Sequence, residues 1–202
     1  MHVFIGIDPS INSTGITIKN SDGSCNFFIV KGGRLTKKEK EASLKYLDIF
    51  KYILYDKKEV KETEDRYEFE LAKAHNLSCI ADTILSLIND IIYNMNKESK
   101  VESISICMEG ISYGSIKSAA IMDLAGLNYL IRDRLKEKFD NFFICPPAEI
   151  KKFYTGSGNS NKDLMIKAFR GTFPDLNLPK IDDLVDSYAM ASFVQNKIEK
   201  EE

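Results

Sequence analysis

The stretch VFIGIDPSINSTGITI, residues 3–18, decides how the rest of the chain is read. Val3, Phe4, Ile5 and Ile7 form an apolar run suited to a buried strand, and Gly15–Ile18 open a second one. Between them lies a Ser/Asn/Thr turn, short enough for an antiparallel return. Burial of apolar neighbours gives no reason for Asp8, a carboxylate that closes the first strand. Capping the following turn is one use for it. A place in a charged site is the other.

Working outward, CNFFIVKG (residues 25–32) after the turn SDG completes an antiparallel meander. From Lys37 to Glu70 the chain is rich in Lys and Glu, and Leu47, Phe50 and Ile53/Leu54 recur at helical spacing, which predicts an amphipathic helix. Leu77, Ile80, Ile84, Leu87/Ile88, Ile91 and Met95 make the stripe of a core helix. SISICMEG (103–110) then repeats the opening motif: a strand that ends in an acid, Glu109. A helix over 115–139, a short strand NFFIC (141–145), a Pro-initiated helical turn PPAEIKKFY and a polar loop TGSGNSN follow. Helices from KDLMIKAF and IDDLVDSYAMASFVQNKI complete the pattern. The expectation is an α/β fold with a mixed five-stranded sheet, antiparallel first and parallel afterwards, flanked by helices.

A chain of 202 residues with 44% hydrophobic and 29% charged residues fits one globular domain, 1–202, carrying a helical, Lys/Glu-rich insertion at about 34–75. Apolar runs are too short to span a membrane, and no basic region followed by an apolar stretch and a cleavage site opens the sequence, so a cytoplasmic location is expected, in a bacterial or phage-infected cell. Cys25, Cys79, Cys107 and Cys145 lack metal-binding spacing, and Cys25, Cys107 and Cys145 read as small buried hydrophobes. Net charge is −2, so the sum does not announce a nucleic-acid binder. Its distribution is more informative: Lys151, Lys152, Lys162, Lys167 and Arg170 crowd one stretch, and the acids at 182–186 another.

Neighbouring parallel strand ends are where open α/β sheets place their sites, which suits Asp8 and Glu109. Asp183 and Asp186, three apart on a helix, share a face, and so do Asp182 and Asp186. Asp182 and Asp183 at a helix start also serve as ordinary caps. Carboxylates brought together repel unless a cation neutralises them, and an all-oxygen set suits Mg²⁺ or Mn²⁺. Two such ions can support phosphodiester hydrolysis.

The sequence of motifs GIDPSINSTG, CMEG, KKFYTGSGNSNKDLM and DDLVDSYAMA resembles the RuvC-type Holliday junction resolvases of the RNase H-like superfamily, particularly their phage and viral branch. The likeness covers both ends and most of the second half, with residues 34–75 outside it. It implies an RNase H-like fold, and a homodimer that cuts four-way DNA junctions with two Mg²⁺ per site, for which Mn²⁺ substitutes. The nicks it implies carry 5′-phosphate and 3′-hydroxyl ends. The metal ligands it implies are Asp8, Glu109, Asp183 and Asp186, with Asp182 as the open alternative to Asp183. Lys162 is placed by the resemblance near the scissile phosphate, and Lys151 or Lys152 on DNA. The Thr-Gly-x-Gly loop at Gly156 and Gly158 offers amides that approach phosphates closely. Where the family carries a junction-wedging aromatic, this chain has Ser112, and Tyr113 stands one place later. Dimer contacts are expected from the helix at 77–95 or that at 115–138.

Competing readings are another nuclease of the same fold acting on RNA/DNA hybrid, structured RNA or flap DNA, an actin-like ATPase fragment suggested by the first-strand loop, and a catalytically silent DNA-binding scaffold.

Overall fold

The computed structural model describes residues 1–61, 65–98, 100–111 and 119–200. Its elements in order are β1 (His2–Asp8), β2 (Thr14–Asn20), β3 (Cys25–Gly32), α1 (Lys37–Lys45), β4 (Phe50–Tyr55), α2 (Arg66–Glu98), β5 (Ser103–Glu109), α3 (Ala119–Lys136), β6 (Asn141–Cys145), α4 (Pro147–Thr155), α5 (Lys162–Thr172) and α6 (Ile181–Ile198). Among the described residues six strands form one sheet, in the order β4-β3-β2-β1-β5-β6. The β1–β2–β3 meander is antiparallel, while β5 pairs parallel with β1 and β6 parallel with β5, as expected.

The sixth strand corrects the sequence reading. Residues 34–75 are not simply helical, because they supply α1, then β4, then the first turns of α2. In a run as short as FKYILY, apolar positions satisfy a helical and an alternating pattern about equally, and its Tyr/Ile/Tyr content favours a pleated surface. The free edge of β3 decides the matter by pairing Phe27 with Phe50 and Gly32 with Tyr55 in parallel. Parallel pairing needs a crossover, and α1 provides it. A capping box at Thr36 and Glu39 starts that helix, and Lys31 on β3 holds the buried Glu39 carboxylate at 2.7 Å.

Alternation along the strands sorts the core into two faces. Val3, Ile5 and Ile7 of β1 pack with Ile80, Ile84 and Ile88 of α2 and Leu127 and Ile131 of α3. Phe4 faces the other side, with Phe27, Phe50, Cys107 and the helices α4, α5 and α6. Cys107 and Cys145 are buried as expected, whereas Cys25 is only half-buried at the first position of β3. No helix among the described residues is long and apolar enough to cross a membrane.

Two glycines let α6 lie directly on the sheet. A Cβ at Gly6 would stand 1.8 Å from the Ser187 carbonyl oxygen and 2.6 Å from the Ala191 nitrogen. One at Gly15 would stand 2.1 Å from the Asp183 carbonyl oxygen. Asp183, Ser187 and Ala191 are four apart, so one ridge of α6 runs along the groove that the missing side chains leave. Between the two contacts, the Thr17 and Ser187 hydroxyls hydrogen-bond at 2.8 Å with no water access. Gly6→Ala should therefore destabilise the protein by about 3 kcal/mol or more in urea unfolding. Gly126→Ala, whose Cβ would meet only Leu77 Cδ1 among the described residues, at 3.7 Å and within a helix, should stabilise it by about 0.5–1 kcal/mol.

Candidate active site

Asp8 is the last residue of β1 and Glu109 the last of β5, and the register Ile7↔Met108 sets these ends side by side. The two-residue alternation carries Phe4, Gly6 and Asp8 to the α6 face of the sheet, and Cys107 and Glu109 likewise. Asp183 and Asp186, in the first turns of α6, meet them from above because the helix sits so close to β1 and β2.

Electrostatics record the convergence. The Asp8 carboxyl is pushed well above its ordinary range, first by burial and then by the negative charges of Asp186, Glu109, Asp183 and Asp182. Glu109 is raised to about 7 by burial and by Asp186, against the pull of Lys151. Asp186 is raised by burial, opposed by Lys151 and Lys162 and reinforced by Asp182 and Asp183. Burial also raises Asp183, while a hydrogen bond from Ser13 and the charges of Lys180 and Lys162 lower it. Four half-buried acids from three separate elements thus share one field.

The neighbouring acids Asp182 and Asp183 have different partners. Asp183 Oδ2 accepts the Ser13 hydroxyl at 2.6 Å. Asp182 Oδ2 forms an ion pair with Lys162 Nζ. Lys162 opens α5, where the Asn161 side chain caps the Leu164 amide at 3.0 Å. Further along, buried Phe169 packs edge-on against Phe27 and Tyr188, which seats the helix against β3 and α6. Lys151 on α4 is near enough to Glu109 and Asp186 to lower both, and Lys152 beside it is exposed.

In the loop after α4, the Gly156 amide bonds the Lys152 carbonyl at 2.9 Å with φ 84°, closing the helix rather than facing outward. Gly158 passes close over Ala148, to whose carbonyl oxygen a Cβ would come within 3.0 Å. Tyr113 and Ser112 lie outside the described residues. A cavity of about 220 Å³ opens beside Glu109 between Pro9, Ile111, Leu124 and Pro147.

Two participants escape sequence reading: Ser13 and Lys180. Lys180 Nζ donates to Ser13 Oγ at 3.1 Å from 167 positions away. A lysine where helices ordinarily begin with Ser, Thr, Asp or Asn was the available signal for Lys180.

Among the described residues, no group of three or more His, Cys, Asp or Glu side chains is already gathered to hold a metal ion. Unneutralised carboxylates repel, and Asp182 is drawn aside by Lys162. The donor set nevertheless fits a hard divalent cation: every candidate ligand is a carboxylate oxygen, and burial leaves their mutual repulsion weakly screened.

A mixed sheet with two acid-tipped parallel strands and an acid-bearing helix laid across them defines an α/β fold of the RNase H-like class. No family profile matches the chain, and no curated protein does. Among solved structures it is similar to Thermus thermophilus RuvC, with 15% identity over 96% of both chains and a TM-score of 0.53. It is also similar to T. thermophilus RuvC in complex with a Holliday junction substrate, with 14% identity over 96% of both chains and a TM-score of 0.48. The chain has a RuvC-like fold.

Raised carboxyl pKa values carry a stability consequence of fixed sign. Glu109, ordinarily at 4.5, holds its proton in the fold up to about 7, so the folded state binds more protons across that window and stability falls as pH climbs through it. Asp8, Asp183 and Asp186 act in the same direction. Glu39 and Glu102, whose carboxyls are lowered, have largely finished titrating below that range. In chelator, the melting temperature should be lower at about pH 8 than at about pH 5.5, and added Mg²⁺ should restore it chiefly at the higher pH.

Proposed function

We propose that the chain is a divalent-metal-dependent, structure-selective endonuclease that resolves four-way DNA junctions. The observation that carries this reading is the Asp8 carboxyl, closed in with Asp186, Glu109 and Asp183 around it and in need of a compensating cation. Asp8, Glu109, Asp183 and Asp186 would hold Mg²⁺ or Mn²⁺. Bound there, such ions supply the Lewis acidity that makes water nucleophilic near neutral pH and offsets charge on a departing oxygen.

Around that cluster each residue has a task of its own. Lys162, steered by Asp182, brings positive charge toward the scissile phosphate, and Lys151 bridges the field between Glu109, Asp186 and the DNA backbone. Lys152 and the loop at Gly156 and Gly158 follow the neighbouring phosphates. Hydrolysis adds the water oxygen to phosphorus and breaks the bond to the 3′ oxygen, which leaves as a hydroxyl, so the nick carries 5′-phosphate and 3′-hydroxyl ends. A four-way junction has approximate two-fold symmetry, and paired nicks call for a homodimer with one site per subunit. Tyr113 is proposed to stack at the branch point. The motifs GIDPS, CMEG and DDLVD and the RuvC-like fold support this assignment.

A synthetic four-way junction digested with Mg²⁺, beside a linear duplex and an RNA/DNA hybrid, tests it. Symmetric nicks confined to the junction are expected; preferential cutting of the hybrid would replace this reading with that of a ribonuclease. Asp8→Asn should lower single-turnover cleavage by about 1,000-fold or more and leave junction binding intact or tighter, because a negative charge near phosphate is gone. Lys162→Ala should slow cleavage by about 100-fold and shift junction affinity by less than about tenfold. The reverse pattern would assign Lys162 to docking.

A further inference from the structure

We infer that Lys180 is a positioning residue that acts through Ser13 on Asp183, an inference that rests on the metal-dependent reading above. Lys180 adopts φ 57°, ψ 41°, and is the non-glycine residue with positive φ among the described residues. An L-residue pays a steric penalty there, and glycine, asparagine or aspartate would bear it better. As the N-cap of α6, Lys180 makes no side-chain cap, and a lysine has no acceptor with which to make one. Local helix chemistry therefore supplies no reason for this residue or this conformation. An observed backbone outlier beside a cluster of reactive groups is the circumstance in which strain is retained for function.

The side chain supplies the reason. Lys180 Nζ donates to Ser13 Oγ at 3.1 Å, and Ser13 Oγ donates to Asp183 Oδ2 at 2.6 Å. An ammonium has only protons to give, so Ser13 must accept from it, and its own single proton goes to Asp183. The direction of the chain Lys180→Ser13→Asp183 is thereby fixed. Ser13 is buried, 4% exposed, in the turn between β1 and β2, five residues after Asp8. The left-handed step at Lys180 sets the amine against that turn just before α6 begins. One carboxylate oxygen of Asp183 is held from the β1–β2 side, while the Asp183 backbone rests on Gly15. Asp182, one residue earlier, turns to Lys162 instead. Hydrogen-bonded ligand carboxylates keep their orientation, and their supporting partners influence metal affinity strongly.

The test compares Lys180→Gly, Lys180→Arg, Ser13→Ala and the double variant S13A/K180G by thermal unfolding, by calorimetric titration with MnCl₂ alone and by single-turnover cleavage of a four-way junction. Glycine suits the left-handed backbone, so K180G should melt no lower than wild type. It should nevertheless bind Mn²⁺ about tenfold more weakly, and S13A likewise. The double variant should lose no more than either single one, because both changes break one chain of contacts. K180R should stay within about threefold of wild type. Simple electrostatics predicts the opposite sign, since deleting a cation beside Asp183 should tighten Mn²⁺ binding. Tighter or unchanged Mn²⁺ binding in K180G and S13A overturns the positioning role. Wild-type protein that binds Mn²⁺ but leaves the junction uncut sinks the resolvase reading and leaves this role standing. Absence of Mn²⁺ binding by wild type overturns both.

Discussion

The approach of α6 to β1 and β2 is the contact on which the rest depends. At Gly6 and Gly15 the helix backbone occupies the space a side chain would fill, and backbone atoms, unlike the ends of flexible side chains, cannot swing aside. That closeness fixes the height of α6 over the sheet. It also fixes its rotation, because Asp183, Ser187 and Ala191 must all face the groove. With helix height and rotation set, Asp183 and Asp186 have little choice but to meet the end of β1. The buried bond between Thr17 and Ser187 adds a directional constraint along the same ridge: the Ser187 hydroxyl donates to the Leu184 carbonyl at 3.0 Å, and the Thr17 hydroxyl without Ser187 would be an unsatisfied polar group.

The opposing demand is electrostatic. Packing that brings four acids together also strips them of water, and each raises the others' cost of ionisation. The fold meets part of this with lysines from different elements: Lys151 beside Glu109 and Asp186, Lys162 on Asp182, and Lys180 on the hydroxyl that serves Asp183. These cations stand around the acids rather than among them, so they temper the repulsion without removing it. A divalent cation among the carboxylates would remove it, and its binding would then be linked to stability.

Most of the architecture was legible in the sequence because it rests on local alternation and spacing. The meander, the strand ending at Glu109 and the terminal helix each show as apolar runs between turn or charge signals; burial is broader than one face, since residues 3–7 of β1 and 105–108 of β5 are buried throughout. Asp8 and Glu109 were visible as acids without a local purpose at strand ends. β4 was missed because six residues are too few for the period to discriminate, and its partner edge on β3 lies outside the window that a pattern can see. Asp182 and Asp183 could not be separated by spacing, since steps of three and four both share a helix face; they differ in tertiary partners, Lys162 for one and Ser13 for the other. The link between Ser13 and Lys180 was hidden for the same reason, since it spans 167 positions, although a lysine at the helix start marked Lys180 as unusual.

The contrast between shape and sequence similarity follows from the same physics. Close packing of α6 requires small residues at two strand positions, and the alternation of the sheet requires apolar residues of no fixed identity on either side. A RuvC-like fold is therefore compatible with 15% identity, because these packing constraints are on size and polarity rather than on particular side chains. Substrate choice is another matter, since it lies in loops and surface charges that the core does not specify. The phosphodiester chemistry proposed for this chain accordingly rests on Asp8 and the acids around it. The added strand β4 illustrates the freedom of the periphery: it extends the sheet by parallel pairing at the β3 edge, three strands from β1, and leaves the register of β1 with β5 and the seat of α6 untouched.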